Sequence, residues 1–258
     1  PVQAKTLPPA SDGHNIAAQA QTGTGKTAAF LIAIFQRFLQ EAGRDHHARR
    51  APRALILAPT RELCLQIVKD ARDLGKYCPF RTLAVYGGMD YDAQRTELMR
   101  GTVDVIVATP GRLLDFLRKK VLSLRRIEVL VIDEADRLLD MGFIPDVRTI
   151  VRQTPRREAR QTMMFSATLT EDVRRLVNQW APDPVLVEIE PERVAVDTVN
   201  QWVYAVPADG KLKLLYHLLT GKNMERALVF VNRRTTAQRV ADELECRDLR
   251  CEVLSGSV

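Results

Sequence analysis

The sequence predicts an α/β fold in which a parallel sheet is covered by helices on both faces, followed by a shorter stretch of the same alternation. Three observations carry this. Short apolar runs rich in β-branched residues recur at 54–58, 82–86, 103–108, 129–132, 162–165 and 185–189. Most are continuous rather than alternating, as strands buried on both faces are. Between them lie stretches with helical apolar spacing: Leu63, Ile67, Ala71 and Leu74, then Leu113, Leu114 and Leu117, then Val173, Leu176 and Val177. The segments richest in glycine, hydroxyl and carboxylate groups follow strand runs, where a doubly wound sheet holds its ligands.

Taken in order, a glycine-rich turn at 20–25 opens a helix from Lys26 through Phe38. Strand 54–58 leads into the helix carrying Leu63 to Leu74. Strand 103–108 leads into a helix through Leu117, with Thr109 as a candidate cap and Pro110 in its first turn. Strand 129–132 runs into an acidic segment and a helix over 136–139. Strand 162–165 precedes a helix capped by Thr170, with Glu171 and Asp172 in its first turn. After strand 185–189, Pro191 and several acidic residues interrupt the pattern, and a linker is placed at 190–199. The alternation then restarts as strand 202–206, helix 211–219, strand 227–231, helix 235–244 and strand 251–254. The expected organisation is a first domain over 1–189 and part of a second over 200–258.

With 258 residues, 46% hydrophobic and 27% charged, the chain has the composition of a globular protein with a substantial core. A net charge of +6 leans weakly towards a polyanionic partner. Cys64, Cys78, Cys246 and Cys251 form neither a C-x-x-C pair nor a disulfide framework, which suits a reducing compartment. No apolar run is long enough to cross a bilayer and no signal-peptide pattern opens the chain, so the expected location is the cytoplasm, with no membrane partner. The absence of an initiating Met and the stop soon after an apparent strand lead to the expectation of a fragment. Asp45-His46-His47 lies among Arg44, Arg49 and Arg50 and reads as a solvated loop, and no zinc-ligand spacing is present.

Ala20-Gln21-Thr22-Gly23-Thr24-Gly25-Lys26-Thr27 is a phosphate-binding loop with Ala in place of the first glycine of the strict pattern. A plain glycine turn at a helix start is the simpler alternative. Two glycines, Lys and Thr at this spacing favour phosphate, because backbone N–H groups and a helix N-terminus converge on an anion. Lys26 is then the β- and γ-phosphate contact and Thr27 a Mg²⁺ ligand. Asp133 and Glu134 follow a buried strand, where unpaired carboxylates are costly without a cation. A helix start alone would also accept acids there. Read with the loop, Asp133 positions Mg²⁺, partly through water, and Glu134 orients and deprotonates the attacking water. Together these segments describe hydrolysis of a nucleoside triphosphate.

Asp133-Glu134-Ala135-Asp136 spells the signature of the DEAD-box ATP-dependent RNA helicases, which the chain resembles over essentially its whole length. Matching elements run in family order: Gln3, Ala20 to Thr27, Ala58-Pro59-Thr60-Arg61-Glu62-Leu63, Gly87-Gly88, Thr109-Pro110-Gly111-Arg112, the acidic tetrad, Ser166-Ala167-Thr168 and Val229-Phe230-Val231-Asn232. Within the family, Gln19-Ala20-Gln21 and the stretch from Tyr86 to Asp92 are most similar to the bacterial helicase of the RNA degradosome.

The resemblance implies a RecA-like P-loop domain and the beginning of a second RecA-like domain, with ATP and Mg²⁺ as ligands. It implies that Gln3 reads adenine, and that Pro59, Thr60, Arg61, Gly87, Gly88, Thr109, Pro110, Gly111 and Arg112 meet RNA through its backbone, independent of sequence. Locally, the same loops read equally well as helix caps and turns. Ser166, Ala167 and Thr168 resemble the element coupling the nucleotide site to RNA remodelling, expected to organise Asp133 and Glu134. The implied activity is local RNA duplex unwinding or ribonucleoprotein remodelling in bacterial RNA turnover, by a monomer with a degradosome-type protein partner. The family's arginine fingers lie in later motifs, so little ATPase activity is expected from this segment alone.

Overall fold

The computed structural model describes residues 2–21, 23–40, 51–189, 200, 202–221, 224 and 226–254. Thr22, Asp45-His46-His47 and the expected linker at 190–199 lie outside them. The chain divides into two compact units, Pro1–Arg193 and Val194–Val258.

The first unit runs α1 (Val2–Ser11), β1 (Ile16–Gln19), α2 (Lys26–Gln40), β2 (Ala54–Leu57), α3 (Arg61–Leu74), β3 (Thr82–Val85), α4 (Tyr91–Met99), β4 (Val105–Ala108), α5 (Pro110–Arg118), β5 (Val129–Ile132), α6 (Ala135–Asp140), α7 (Ile144–Val151), β6 (Gln161–Ser166), α8 (Glu171–Trp180) and β7 (Val185–Glu188). Its seven strands form one sheet in the order β3-β4-β2-β5-β6-β1-β7, and every neighbouring pair is parallel. This is the expected α/β architecture.

Because successive side chains of a strand point to opposite faces, each strand except the edge strand β7 feeds two cores. Leu55, Leu57, Ile106, Leu130 and Ile132 pack on one face with Leu113, Phe116, Leu138, Val147 and Leu176. Ile56, Val107, Val129 and Val131 pack on the other with Phe30, Ile34, Phe38 and Ile67. Phe30 also tilts against Phe165 with ring centroids 5.4 Å apart, which ties α2 to β6. Truncating such a buried aromatic to Ala costs about 3–5 kcal/mol.

Two elements depart from the sequence pattern. Strand β1 is half alanine, a weak strand former, and gives no β-branched run. It forms because β6 and β7 supply ladders on both sides, pairing Ile16 with Met163 and with Val185. Helix α1 contains Pro8 and Pro9, which cannot donate to the carbonyls of Ala4 and Lys5. Both of those residues are exposed, so water can take the freed carbonyls, and the helix closes on Asp12 N donating to Pro8 O at 3.1 Å.

The second unit contains helices α9 (Lys211–Gly221) and α10 (Arg234–Glu245), close to the expected spans. The three expected strands are corrected. Among the described residues none of 202–206, 227–231 or 251–254 joins a ladder, and Phe230 is 91% exposed. Propensity marks a segment as fit for a strand, but a strand exists only through a hydrogen-bonded neighbour.

Candidate active site

The carboxyl ends of the parallel strands gather nearly all the residues singled out by sequence, in two groups that follow the strand order. The loops after β1, β5 and β6 form one group. Those after β2, β3 and β4 form the other.

In the first group, β1 hands over to the glycine-rich loop as Ala20 N donates to Ser166 O at 2.9 Å. Gln21 is exposed, and its carbonyl accepts from the Thr24 hydroxyl at 2.8 Å. Gly23 and Gly25 have φ of 81° and 89°, a left-handed backbone that favours glycine. A side chain at Gly25 would also run into Gln3, whose Nε2 donates to Gly25 O at 3.4 Å. The turn delivers Lys26 and Thr27 to the start of α2. Lys26 is 6% exposed, and its Nζ is buried with no hydrogen-bond partner. An ammonium in that state is costly unless an anion meets it.

Asp133 is fixed from the next strand, its N donating to Leu57 O at 2.9 Å. It is 2% exposed. Burial pushes its carboxyl up to about 6, against the pull of the Lys26 ammonium and a bond from Glu134 N. Glu134 sits at φ 49°, a conformation costing a non-glycine residue about 1–3 kcal/mol. Its Oε2 meets Arg137 Nη1 at 3.1 Å. Gly23, Gly25, Lys26, Thr27, Asp133 and Glu134 border one cavity of about 440 Å³. The unpartnered Lys26 ammonium fits a phosphate chain, and Thr27 with Asp133 is a hard-oxygen pair that fits Mg²⁺.

The coupling segment needs a correction. Ser166 and Thr168 hold Asp136 rather than Asp133 or Glu134. Thr168 N and its hydroxyl donate to Asp136 Oδ2 at 2.9 and 3.1 Å, and Asp136 N donates to Ser166 Oγ at 3.2 Å. Burial raises the Asp136 carboxyl, but bonds from Thr168, Ser166 and Arg137 outweigh it and hold the group below its usual range. Ala167 separates the two hydroxyl residues and is half-buried.

In the second group, Thr60 caps α3, its hydroxyl accepting from Leu63 N at 3.2 Å. Arg61 lies over the Tyr86 ring at 5.1 Å, next to the exposed Gly87 and Gly88. Gly88 has φ 79°. Thr109 N donates to Val85 O at 3.0 Å, while its hydroxyl makes no cap bond to α5. Gly111 is exposed. Arg112 Nη2 donates to Met89 O at 2.8 Å, which joins the third loop to the second, and its Nη1 is buried without a partner. Pro59 and Pro110 are buried, so they shape the backbone. Sequence reasoning missed Tyr91, whose ring lies 5.8 Å from the Arg112 guanidinium and 4.0 Å from Lys119 Nζ. Only its aromatic character beside the Gly-Gly turn could have flagged it.

The DEAD/DEAH box helicase family model matches residues 1–176. The chain belongs to that family. It is 50% identical over 258 residues to the ATP-dependent RNA helicase RhlB of Pseudomonas aeruginosa (strain UCBPP-PA14), which covers all of this chain and 65% of that protein. It is 48% identical over 259 residues to the ATP-dependent RNA helicase RhlB of Xanthomonas oryzae pv. oryzae, covering all of this chain and 45% of that protein. The chain therefore spans less than two thirds of the length of these relatives. Among the described residues no helix is long and apolar enough to cross a membrane, and no group of three or more His, Cys, Asp or Glu is placed to hold a metal by itself. A Mg²⁺ here would need oxygens from its nucleotide as well.

Proposed function

We propose that this chain carries the ATP-hydrolysing and RNA-facing machinery of an RNA helicase that opens short duplexes or remodels ribonucleoproteins in bacterial RNA turnover. The observation that carries the reading is the buried, unpartnered Lys26 ammonium sharing one cavity with Asp133 and Glu134.

Lys26 binds the β- and γ-phosphates, and the N–H groups of the loop and of the first turn of α2 line the same anion site. Thr27 and Asp133 hold Mg²⁺, which neutralises developing charge on the phosphates when bound. Glu134 takes a proton from the attacking water, after exchanging its Arg137 partner for that water. Gln3 binds adenine through the amide oxygen that its bond to Gly25 leaves available, so base recognition bears directly on the phosphate loop. Arg61 and Arg112 present guanidinium groups to RNA phosphates, with Thr60, Gly87, Gly88, Thr109 and Gly111 along the same path. Asp136, gripped by Ser166 and Thr168, links the acidic turn to the end of β6.

On the same reading, residues 1–189 form a first RecA-like domain, 190–199 a linker and 200–258 part of a second such domain. The protein acts as a cytoplasmic monomer with a degradosome-type protein partner.

The test is ATP hydrolysis by the protein at the length of its relatives, with single-stranded RNA or DNA of equal length. Stimulation by RNA well above that by DNA is expected, and equal stimulation would turn the reading into a DNA-directed ATPase. Glu134→Gln should lower turnover by about 10²–10⁴-fold yet keep ATP-dependent RNA binding. Unchanged turnover in that variant would remove Glu134 as the base, and no turnover in the parent, with ATP-dependent RNA binding kept, would leave an ATP-gated clamp rather than a hydrolase.

A further inference from the structure

The nucleotide crevice does not close behind Thr27. Its far wall is α3, which contributes Gln66, Asp70 and Asp73. Beyond it lies a second hollow of about 460 Å³ bordered by Ile32, Phe35, Leu39 and Cys78. Leu74 borders both cavities, so the two adjoin at that residue along the seam of α2 and α3.

The two walls differ in kind. The α2 wall of the second hollow mixes apolar and amide side chains, Ile32, Phe35 and Leu39 with Gln36 and Gln40; Ile32 and Leu39 are four and eleven residues along from Ala28, on the helix stripe that borders the crevice. Leu39 is 49% exposed and Leu74 45% exposed. Single exposed aliphatics are ordinary, but several bordering one concavity mark an interaction site.

The α3 wall is acidic. Asp70 and Asp73 are three residues apart, within reach of one another along the helix. They sit towards the carboxyl end of α3, where the helix dipole disfavours negative charge. Neither has an ion-pair partner among the described residues, whereas Glu97, Glu128, Glu134 and Glu171 each meet an arginine. A cation brought from outside would relieve both the dipole and the mutual repulsion.

We propose that the α2–α3 groove docks an amphipathic helix of a protein partner, its aliphatic stripe seated on Ile32, Leu39 and Leu74 and its lysine or arginine edge paired with Asp70 and Asp73. This is helix-in-groove recognition with charge complementarity setting orientation. Docking lies along the helix that carries Lys26 and Thr27, so a partner held there bears on the phosphate-binding end of α2. The binding itself needs no nucleotide, and its failure would leave the helicase reading untouched.

The probe is a fluorescein-labelled synthetic helix of about 18 residues, five turns long, with leucines on one face and lysines along one flank. Fluorescence anisotropy measures its binding to the full chain without nucleotide, beside a control peptide with glutamates in place of the lysines. The lysine peptide should bind the more tightly. The double variant Asp70→Asn, Asp73→Asn should weaken it by about tenfold, as two partly exposed ion pairs allow. Ile32→Asp should weaken it at least as much; the asparagine variant should melt like the parent, and Leu39→Asp, at a side chain 49% exposed, repeats the apolar arm where the 36% exposed Ile32 also carries stability. Equal affinity for both peptides, or no effect of either variant, overturns the proposal. So does displacement of the peptide by RNA. Self-association that Ile32→Asp abolishes, with no peptide binding, would give the groove to a second copy of the chain instead.

Discussion

Two neighbouring stretches of the same sheet edge are built on opposite physical principles. After β1, β5 and β6 Lys26 and Asp133 are buried, the backbone is held in left-handed conformations at Gly23, Gly25 and Glu134, and the Lys26 ammonium has no hydrogen-bond partner. After β2, β3 and β4 the groups are more exposed, Thr60 already caps its helix, and both Arg61 and Arg112 rest on tyrosine rings. Cleavage of a phosphate bond needs a low-dielectric crevice whose charges are unsatisfied until the ligand arrives. Reading the phosphate backbone of a long polymer needs an open surface whose side chains are oriented but accessible. The first arrangement is costly to the empty fold, and the second costs less, although Arg112 Nη1 is buried without a partner there too.

This contrast makes graded predictions. The largest effect should come from Lys26→Ala, which removes the proposed phosphate contact and the ammonium whose charge pulls on the buried Asp133 carboxyl. ATP turnover should fall by about 10²–10³-fold, while RNA affinity measured without nucleotide stays at the parental level. Arg112→Ala should do the reverse: RNA affinity falls alike for all sequences and the salt dependence of binding loses about one counterion. Unaltered nucleotide affinity in that variant, checked by calorimetry, keeps the two regions separable; a joint loss would merge them.

Asp136 tests a link inside the first region, between the acidic turn and the end of β6. Its folded carboxyl is held below the ordinary value, so its contribution is present at neutral pH and is lost as pH falls through the folded value. Asp136→Asn should cost about 1 kcal/mol in urea melts at pH 7, with the gap from the parent narrowing in acid. A gap that widens in acid would contradict the bonds from Thr168. The smallest effect belongs to Thr60→Ala, about 0.5–1 kcal/mol of stability from the lost cap. Its RNA affinity distinguishes a cap from a contact residue, since a pure cap leaves affinity at the parental level.

Much of both regions was legible because the information is local. Phosphate binding needs glycines, Lys and Thr at one spacing, and Asp133-Glu134 must follow a buried strand, so both can be read in a window of a few residues. Tyr91 was not legible, because the cations on its ring come from α5, which carries Arg112, and from Lys119 just after it. The partner of Ser166 and Thr168 was misplaced by a few residues for the same reason: the turn at Glu134 swings Asp136, not Asp133, towards the end of β6. Strand β1 was hidden by its alanines, and the strands expected at 202–206, 227–231 and 251–254 were overread from apolar runs.

Taken alone, the sequence determined the α/β class, the register of glycines, lysine and carboxylates, and the membership of family motifs in order. These depend on period, propensity and short spacing, all of which are properties of neighbours along the chain. Only the tertiary structure decided that the Lys26 ammonium lies buried beside Asp133 without a hydrogen-bond partner, that Asp136 closes onto Thr168, and that Asp70 and Asp73 of α3 face the same cavity as Lys26. Burial and pairing are properties of neighbours in space, and a chain acquires those only by folding.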